Sequence, residues 1–219
     1  MSIGSLDGMA DRTVTISGLG KAYAVTGWRI GWAVAAAPLT ALIRKVHDYL
    51  TVCAPAPFQA AGIVALGLPE SYYADIRAQY AARRAILLAA LDAAGMPYRK
   101  PEGAYYVMAD FAGIAWDQGA FSRKPADKPD DPGWTADRAF AEYMAREIGV
   151  AVVPGSSFYA SAELVPRNRS TSRVRLNFAK REDTLREAAR RLQRLRVRQG
   201  AGSSTSVPPQ PSSLPTFLL

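Results

Sequence analysis

Between residues 18 and 31 the chain reads Gly-Leu-Gly-Lys-Ala-Tyr-Ala-Val-Thr-Gly-Trp-Arg-Ile-Gly, with four glycines in fourteen positions. Such a stretch favours tight turns over a continuous helix or strand. Lys21 stands between Gly20 and Ala22, so little side-chain bulk crowds its amine. Gly27 and Gly31 bracket Arg29 and let the backbone turn around it. An uncrowded lysine amine, when neutral, can condense with an aldehyde. A guanidinium offers a phosphate dianion two parallel donors from a permanently charged fork. The alternative reading is a surface Lys-Arg pair in a glycine-rich loop, the situation of most such residues.

Taken together, the fourteen positions resemble the signature of the fold-type I pyridoxal-phosphate enzymes, class I/II aminotransferase family. The resemblance implies that Lys21 holds pyridoxal 5'-phosphate as a Schiff base, that Arg29 grips the phosphate, and that Gly18 lies against the cofactor. Many relatives have serine three residues before the lysine; here that place is Gly18, and Ser17 comes one residue earlier. In complete family members the lysine falls well past the middle of the chain. At residue 21 of 219 it marks this chain as the C-terminal half of such an enzyme.

The flanking pattern alternates strands and helices, which predicts an α/β architecture. Thr13-Val14-Thr15-Ile16 predicts a short strand entering the lysine turn, and residues 30–36 a second apolar strand. Pro38 starts a helix to about Tyr49, and Ala54-Pro55-Ala56-Pro57 breaks the chain before a helix from Phe58 to Leu66. From Pro69 a long helical stretch, with apolar residues around Tyr73, Ile76, Tyr80, Leu87 and Leu91, closes at Gly95. Another helix starts near Thr135.

Three later segments extend the family likeness. Residues 101–111 (Pro-Glu-Gly-Ala-Tyr-Tyr-Val-Met-Ala-Asp-Phe) resemble the strand opening the small domain of the kynurenine/glutamine and methionine aminotransferase branch. Residues 152–159 (Val-Val-Pro-Gly-Ser-Ser-Phe-Tyr) are similar to a loop near the substrate entrance. Thr171-Ser172-Arg173-Val174-Arg175-Leu176-Asn177-Phe178-Ala179 resembles the strand whose arginine binds the substrate α-carboxylate, which the likeness assigns to Arg175. Arg173, two residues earlier on the same strand face, stays open by spacing alone.

Composition agrees with a globular enzyme piece: 49% of residues are hydrophobic and 21% charged. The single cysteine, Cys53, excludes an intramolecular disulfide and any multi-cysteine metal site, and with one histidine, His47, no metal centre is expected. His47 reads as a plain residue of an amphipathic helix. The net charge of +8 is concentrated between Lys180 and Arg198, where eight basic residues face three acidic ones. There Leu185, Ala188, Ala189, Leu192 and Leu195 recur at helical spacing, so the arginines read as the solvated face of a helix. No aromatic residues interleave them, and no specific nucleic-acid partner is expected. No secretion signal or membrane span is legible, which with the lone cysteine predicts a cytoplasmic protein.

The resemblance therefore implies a PLP-dependent transferase fold (fold type I), truncated at the N-terminal side. Residues 1–94 would be part of the large domain with the interdomain helix, 95–199 a small C-terminal α/β domain, and 200–219, rich in Ser and Pro, a disordered tail. Residues 117–133 would be a polar, proline-rich insertion. The implied activity is amino-group transfer between an L-amino acid and a 2-oxo acid, in a homodimer when full length. The isolated 219 residues are expected to bind cofactor weakly and to be inactive. Two other readings stay open: a PLP-dependent carbon–sulfur β-lyase, and a non-catalytic aminotransferase-like effector domain of a transcription regulator.

Overall fold

The structure is a computed structural model and describes residues 2–121, 135–159 and 172–197. Most of the proline-rich insertion and the whole expected tail, 200–219, lie outside the described residues. The chain divides into two compact units, Met1–Asp75 and Ile76–Leu219. This division falls inside one helix, whereas the domain boundary expected from the sequence lies at that helix's end.

In the first unit, strand β1 (Thr15–Gly18) pairs antiparallel with β2 (Gly31–Val34), in the register Thr15↔Val34 to Gly18↔Gly31. The first strand begins two residues later than the β-branched run suggested. Between the strands lie helix α1 (Leu19–Ala22) and a 3-10 turn, Thr26–Trp28. Helices α2 (Ala37–Leu50) and α3 (Ala56–Leu66) follow, each with proline in its first turn, where the missing N–H costs nothing.

Little of this unit is buried. Among its described residues only Leu19 and Gly62 are, and Leu19 rests on the bare Cα of Gly62, where a Cβ would come within 2.9 Å of its Cδ1. Residues 41–50 of α2 are all exposed, His47 among them. The apolar stripe the sequence predicts for α2 therefore exists but covers nothing within the unit.

The second unit has a conventional core. Helix α4 (Glu70–Ala93) contributes Leu87, Leu88, Ala90 and Leu91 to it. The helix ends in a Schellman cap: Gly95, at φ +69, sends its N–H to Asp92 O, and the Met96 N–H reaches Leu91 O at 3.0 Å. A three-stranded antiparallel sheet has the order β3 (Tyr106–Asp110), β6 (Arg173–Asn177), β5 (Val153–Pro154). Val107 and Ala109 of β3 and Val174 and Leu176 of β6 are buried, so the period-2 alternation turns one sheet face to the core. The other face carries Tyr106, Met108, Asp110, Arg173 and Arg175.

Two-residue strands β4 (Ile114–Ala115) and β7 (Arg196–Val197) pair with each other. Helix α5 (Gln118–Phe121) is a single turn, and α6 (Ala136–Tyr143) continues as a π-helical turn to Ile148. Phe140 of α6, fully buried, stacks on Phe111 at 4.0 Å. Helix α7 (Glu182–Leu192) buries Leu185 and Leu192. Its outer charges are paired at helical spacing, with Glu187 binding both Arg190 and Arg191. Those arginine N–H groups hold the Glu187 carboxyl below the usual carboxylate range.

Candidate active site

The lysine turn is closed at its base by the backbone. The Leu19 N–H donates to Ile30 O at 3.1 Å, directly above the Gly18↔Gly31 pair. A Cβ on Gly31 would stand 2.8 Å from Ser17 O, so the strand ends approach at a distance only glycine permits. Gly18 is extended and precedes α1, which presents Lys21 as an exposed side chain while Leu19 is buried. One turn of helix thus splits its side chains between a buried anchor and an exposed amine.

Thr26 joins the lysine and arginine ends of the loop. Its hydroxyl donates to Gly20 O at 2.8 Å, and its own carbonyl accepts from Arg29 Nη1 at 3.1 Å. Arg29 lies at φ +57, in the left-handed region that costs a non-glycine residue roughly 1–2 kcal/mol. Beside it Trp28 stacks on Phe58 with centroids 4.9 Å apart. The aromatic pair and the threonine bridge hold Arg29 in this unfavourable conformation. Next to the turn is an apolar cleft of about 410 Å³, lined by Leu19, Tyr23, Trp28, Leu68 and Tyr72 among others; neither Lys21 nor Arg29 lines it.

In the second unit, Arg175 is flanked by two aromatic rings. Its guanidinium carbon is 4.0 Å from the Tyr106 centroid and 4.5 Å from that of Phe158. Among the described residues no carboxylate forms an ion pair with it, whereas Arg173, on the same strand face, lies 4.0 Å from Asp110. The two candidate arginines therefore differ in what they face. The fork of Arg175 is framed by rings, and that of Arg173 is drawn to an acid.

The Aminotransferase class I and II family model matches residues 3–192. The chain belongs to the class I and II aminotransferases. It is 34% identical over 195 residues to a probable N-succinyldiaminopimelate aminotransferase, DapC, of Mycobacterium tuberculosis, covering 88% of this chain and 45% of that protein. It is 32% identical to a kynurenine–oxoglutarate transaminase of Dictyostelium discoideum, covering 88% and 43%. The crystal structure of YbdL from Escherichia coli, identified with a methionine aminotransferase function, superposes with a TM-score of 0.69 at 33% identity, covering 88% of this chain and 44% of that one. The chain spans less than half the length of the relatives it matches, and these likenesses agree with part of an α/β fold-type I enzyme.

Within this aminotransferase chain, Gly18, Lys21 and Arg29 share one turn of the first unit, and Arg175 stands on the sheet of the second. Residue type and spacing do not single out Thr26, Tyr106, Phe158 or Asp137, the last buried in the first turn of α6, as site residues. Thr26 lies inside the glycine-rich stretch but its bridging of Gly20 and Arg29 is set by the fold of the turn, and the buried Asp137 accepts the N–H of Ser156, nineteen residues later. Tyr106 and Phe158 lay inside segments already noticed, but their convergence on Arg175 requires the strand pairing. Among the described residues no cluster of His, Cys, Asp or Glu could hold a metal ion, and no helix is long and apolar enough to cross a membrane.

Proposed function

We propose that this chain provides the cofactor-anchoring lysine and the substrate-carboxylate arginine of a pyridoxal-phosphate aminotransferase acting on an L-amino acid and a 2-oxo acid. The observation that carries the reading is the turn in which Thr26 binds Gly20 and Arg29 at once, spacing an exposed amine and an exposed guanidinium around glycines. That donor set fits pyridoxal phosphate: an amine for its aldehyde, a fixed cation for its phosphate, and little bulk at Gly18 and Gly20 against its ring.

When bound, the cofactor supplies an electron sink for charge developing at the substrate Cα. The chain's own residues do the rest. Arg29 holds the phosphate through charge-assisted hydrogen bonds, and its backbone strain keeps the fork aimed. Arg175 takes the substrate carboxylate, and its flanking rings restrict the plane of the fork, fixing the direction of the Cα–H bond. The Lys21 amine, once free, accepts the Cα proton and returns a proton as acid–base catalyst.

The span of under half the relatives' length, together with the open apolar side chains of the first unit, supports reading the chain as part of such a site. By itself it then holds cofactor weakly. A homodimer and a cytoplasmic setting belong to the same reading.

The test is borohydride reduction of the chain after incubation with pyridoxal phosphate, followed by peptide mapping. A pyridoxyl label on Lys21, lost in Lys21→Ala, supports the reading. A label confined to other lysines at saturating pyridoxal phosphate overturns it.

A further inference from the structure

Asp137 is fully buried, in the first turn of α6. A buried carboxylate is tolerated only when its oxygens are satisfied. One oxygen of Asp137 accepts from the Thr135 hydroxyl, and Oδ2 accepts the Ser156 N–H at 2.6 Å. The Thr135 and Ser156 hydroxyls are themselves 3.3 Å apart. Ser156 belongs to the 3-10 turn Gly155–Phe158, so the carboxylate sits at the N-terminal ends of two helical segments, where negative charge is favoured.

Among the described residues the other supports of that 3-10 turn are the burial of Gly155 and packing against β6 and α6, and the strand ladder adds little. The turn follows β5, which is two residues long, and one of these is Pro154, with no N–H to give to the ladder. Short 3-10 segments have poor hydrogen-bond geometry of their own. Phe158, at the end of the turn, is 48% exposed, so burial of its ring does not fix it either. Yet this ring stands 4.5 Å from the Arg175 guanidinium carbon.

We propose that Asp137 is a positioning residue: by anchoring Ser156 it holds Phe158 against Arg175 and so sets the orientation of the fork. In relation to catalysis the proposal rests on the reading of Arg175 as the carboxylate-binding residue. Asp137 touches neither substrate nor cofactor and acts through the turn.

The test follows the Arg175 Nε–H proton by NMR in the 219-residue chain, with Arg175→Lys identifying the resonance. A proton held over aromatic faces is shielded, so Phe158→Leu should move it downfield. Asp137→Ala should move it in the same direction by a similar amount, and Asp137→Asn, which keeps one acceptor oxygen, by less. Leu185→Ala, chosen for a comparable loss of thermal stability elsewhere in the core, should leave it in place. A resonance unmoved in both Asp137 variants, or unmoved in Phe158→Leu, overturns the proposal. So does unfolding of both Asp137 variants while Leu185→Ala stays folded, since the residue would then serve stability alone.

Titration with pyruvate, read on the same resonance, separates this result from the functional reading. Binding weakened at least about threefold in Asp137→Ala supports the proposal, given the cost of ordering a loosened fork. If pyruvate leaves Arg175 unperturbed in the unsubstituted chain, the carboxylate reading fails while the Asp137 link is still decided by the ring shift.

Discussion

The hydroxyls of Tyr23 and Tyr73 lie 2.5 Å apart, joining the residue two places after Lys21 to the start of α4 across fifty positions of sequence. Tyr72 reinforces the junction by stacking on Tyr23 and donating its hydroxyl to Ala22 O at 3.0 Å. The hydrogen bond with Tyr73 is the main cause pushing the Tyr23 phenol from 10.0 up to about 12, with partial desolvation and the Tyr73 and Tyr72 charges adding to it.

A titration follows from this junction. The folded state keeps Tyr23 protonated to about pH 12, whereas the unfolded chain releases that proton near 10.0. The stabilisation is therefore complete below pH 10 and is lost as pH climbs to 12, because the unfolded state binds fewer protons there. In Tyr73→Phe the Tyr23 midpoint should fall back toward its ordinary value and the alkaline loss of stability should shrink. NMR of the Tyr23 ring against pH, with denaturant melts at each pH, checks both.

Gly31→Ala places a methyl 2.8 Å from Ser17 O, where backbone rather than a flexible side chain must yield. Forced overpacking of this kind costs about 1–3 kcal/mol. Hydrogen exchange at the Leu19 N–H, which closes the base of the lysine turn, should accelerate accordingly. Unchanged protection would mean that the strand ends are looser than the Gly18↔Gly31 register implies.

The second unit should respond to core loss as a cooperative body. Phe140→Ala removes a fully buried ring stacked on Phe111, and truncations of this type cost about 3–5 kcal/mol. Arg190→Ala removes an exposed helical pair with Glu187, a class of contact that contributes little to stability. Urea unfolding followed by the fluorescence of Trp116, which packs edge-on to Phe140, should separate the two by several-fold in destabilisation.

Much of this arrangement is legible in the sequence, for local reasons. Prolines at positions 38, 57 and 69 announce helix starts, glycine at 95 a helix end, and the alternation from Arg173 to Asn177 a half-buried strand. Other features depend on partners far along the chain. Asp137 reads as an ordinary first-turn acid until Ser156, nineteen residues later, is seen to donate to it. The amphipathic pattern of α2 identifies an apolar stripe but carries no information about what covers it, and residues 41–50 are all exposed. Arg173 and Arg175 are equivalent by period; the fold separates them, setting Asp110 opposite Arg173 and the rings of Tyr106 and Phe158 against Arg175.

Those two arginines should therefore diverge on substitution. Arg175→Lys replaces a framed planar fork with a point charge and should weaken 2-oxo acid binding about tenfold. Arg173→Lys keeps a cation near Asp110 and should change it less than about twofold. Calorimetric titration with pyruvate distinguishes them, and the opposite ranking would favour Arg173 over Arg175 for the proposed carboxylate role.

Arg29 leaves the backbone from a left-handed residue, so its Cα–Cβ bond points where no right-handed or extended arginine at that place could send it. Aim is thus written into the main chain, upstream of any rotamer. A glycine there would keep the path of the loop and lose the hook, while a β-branched residue would resist the path itself.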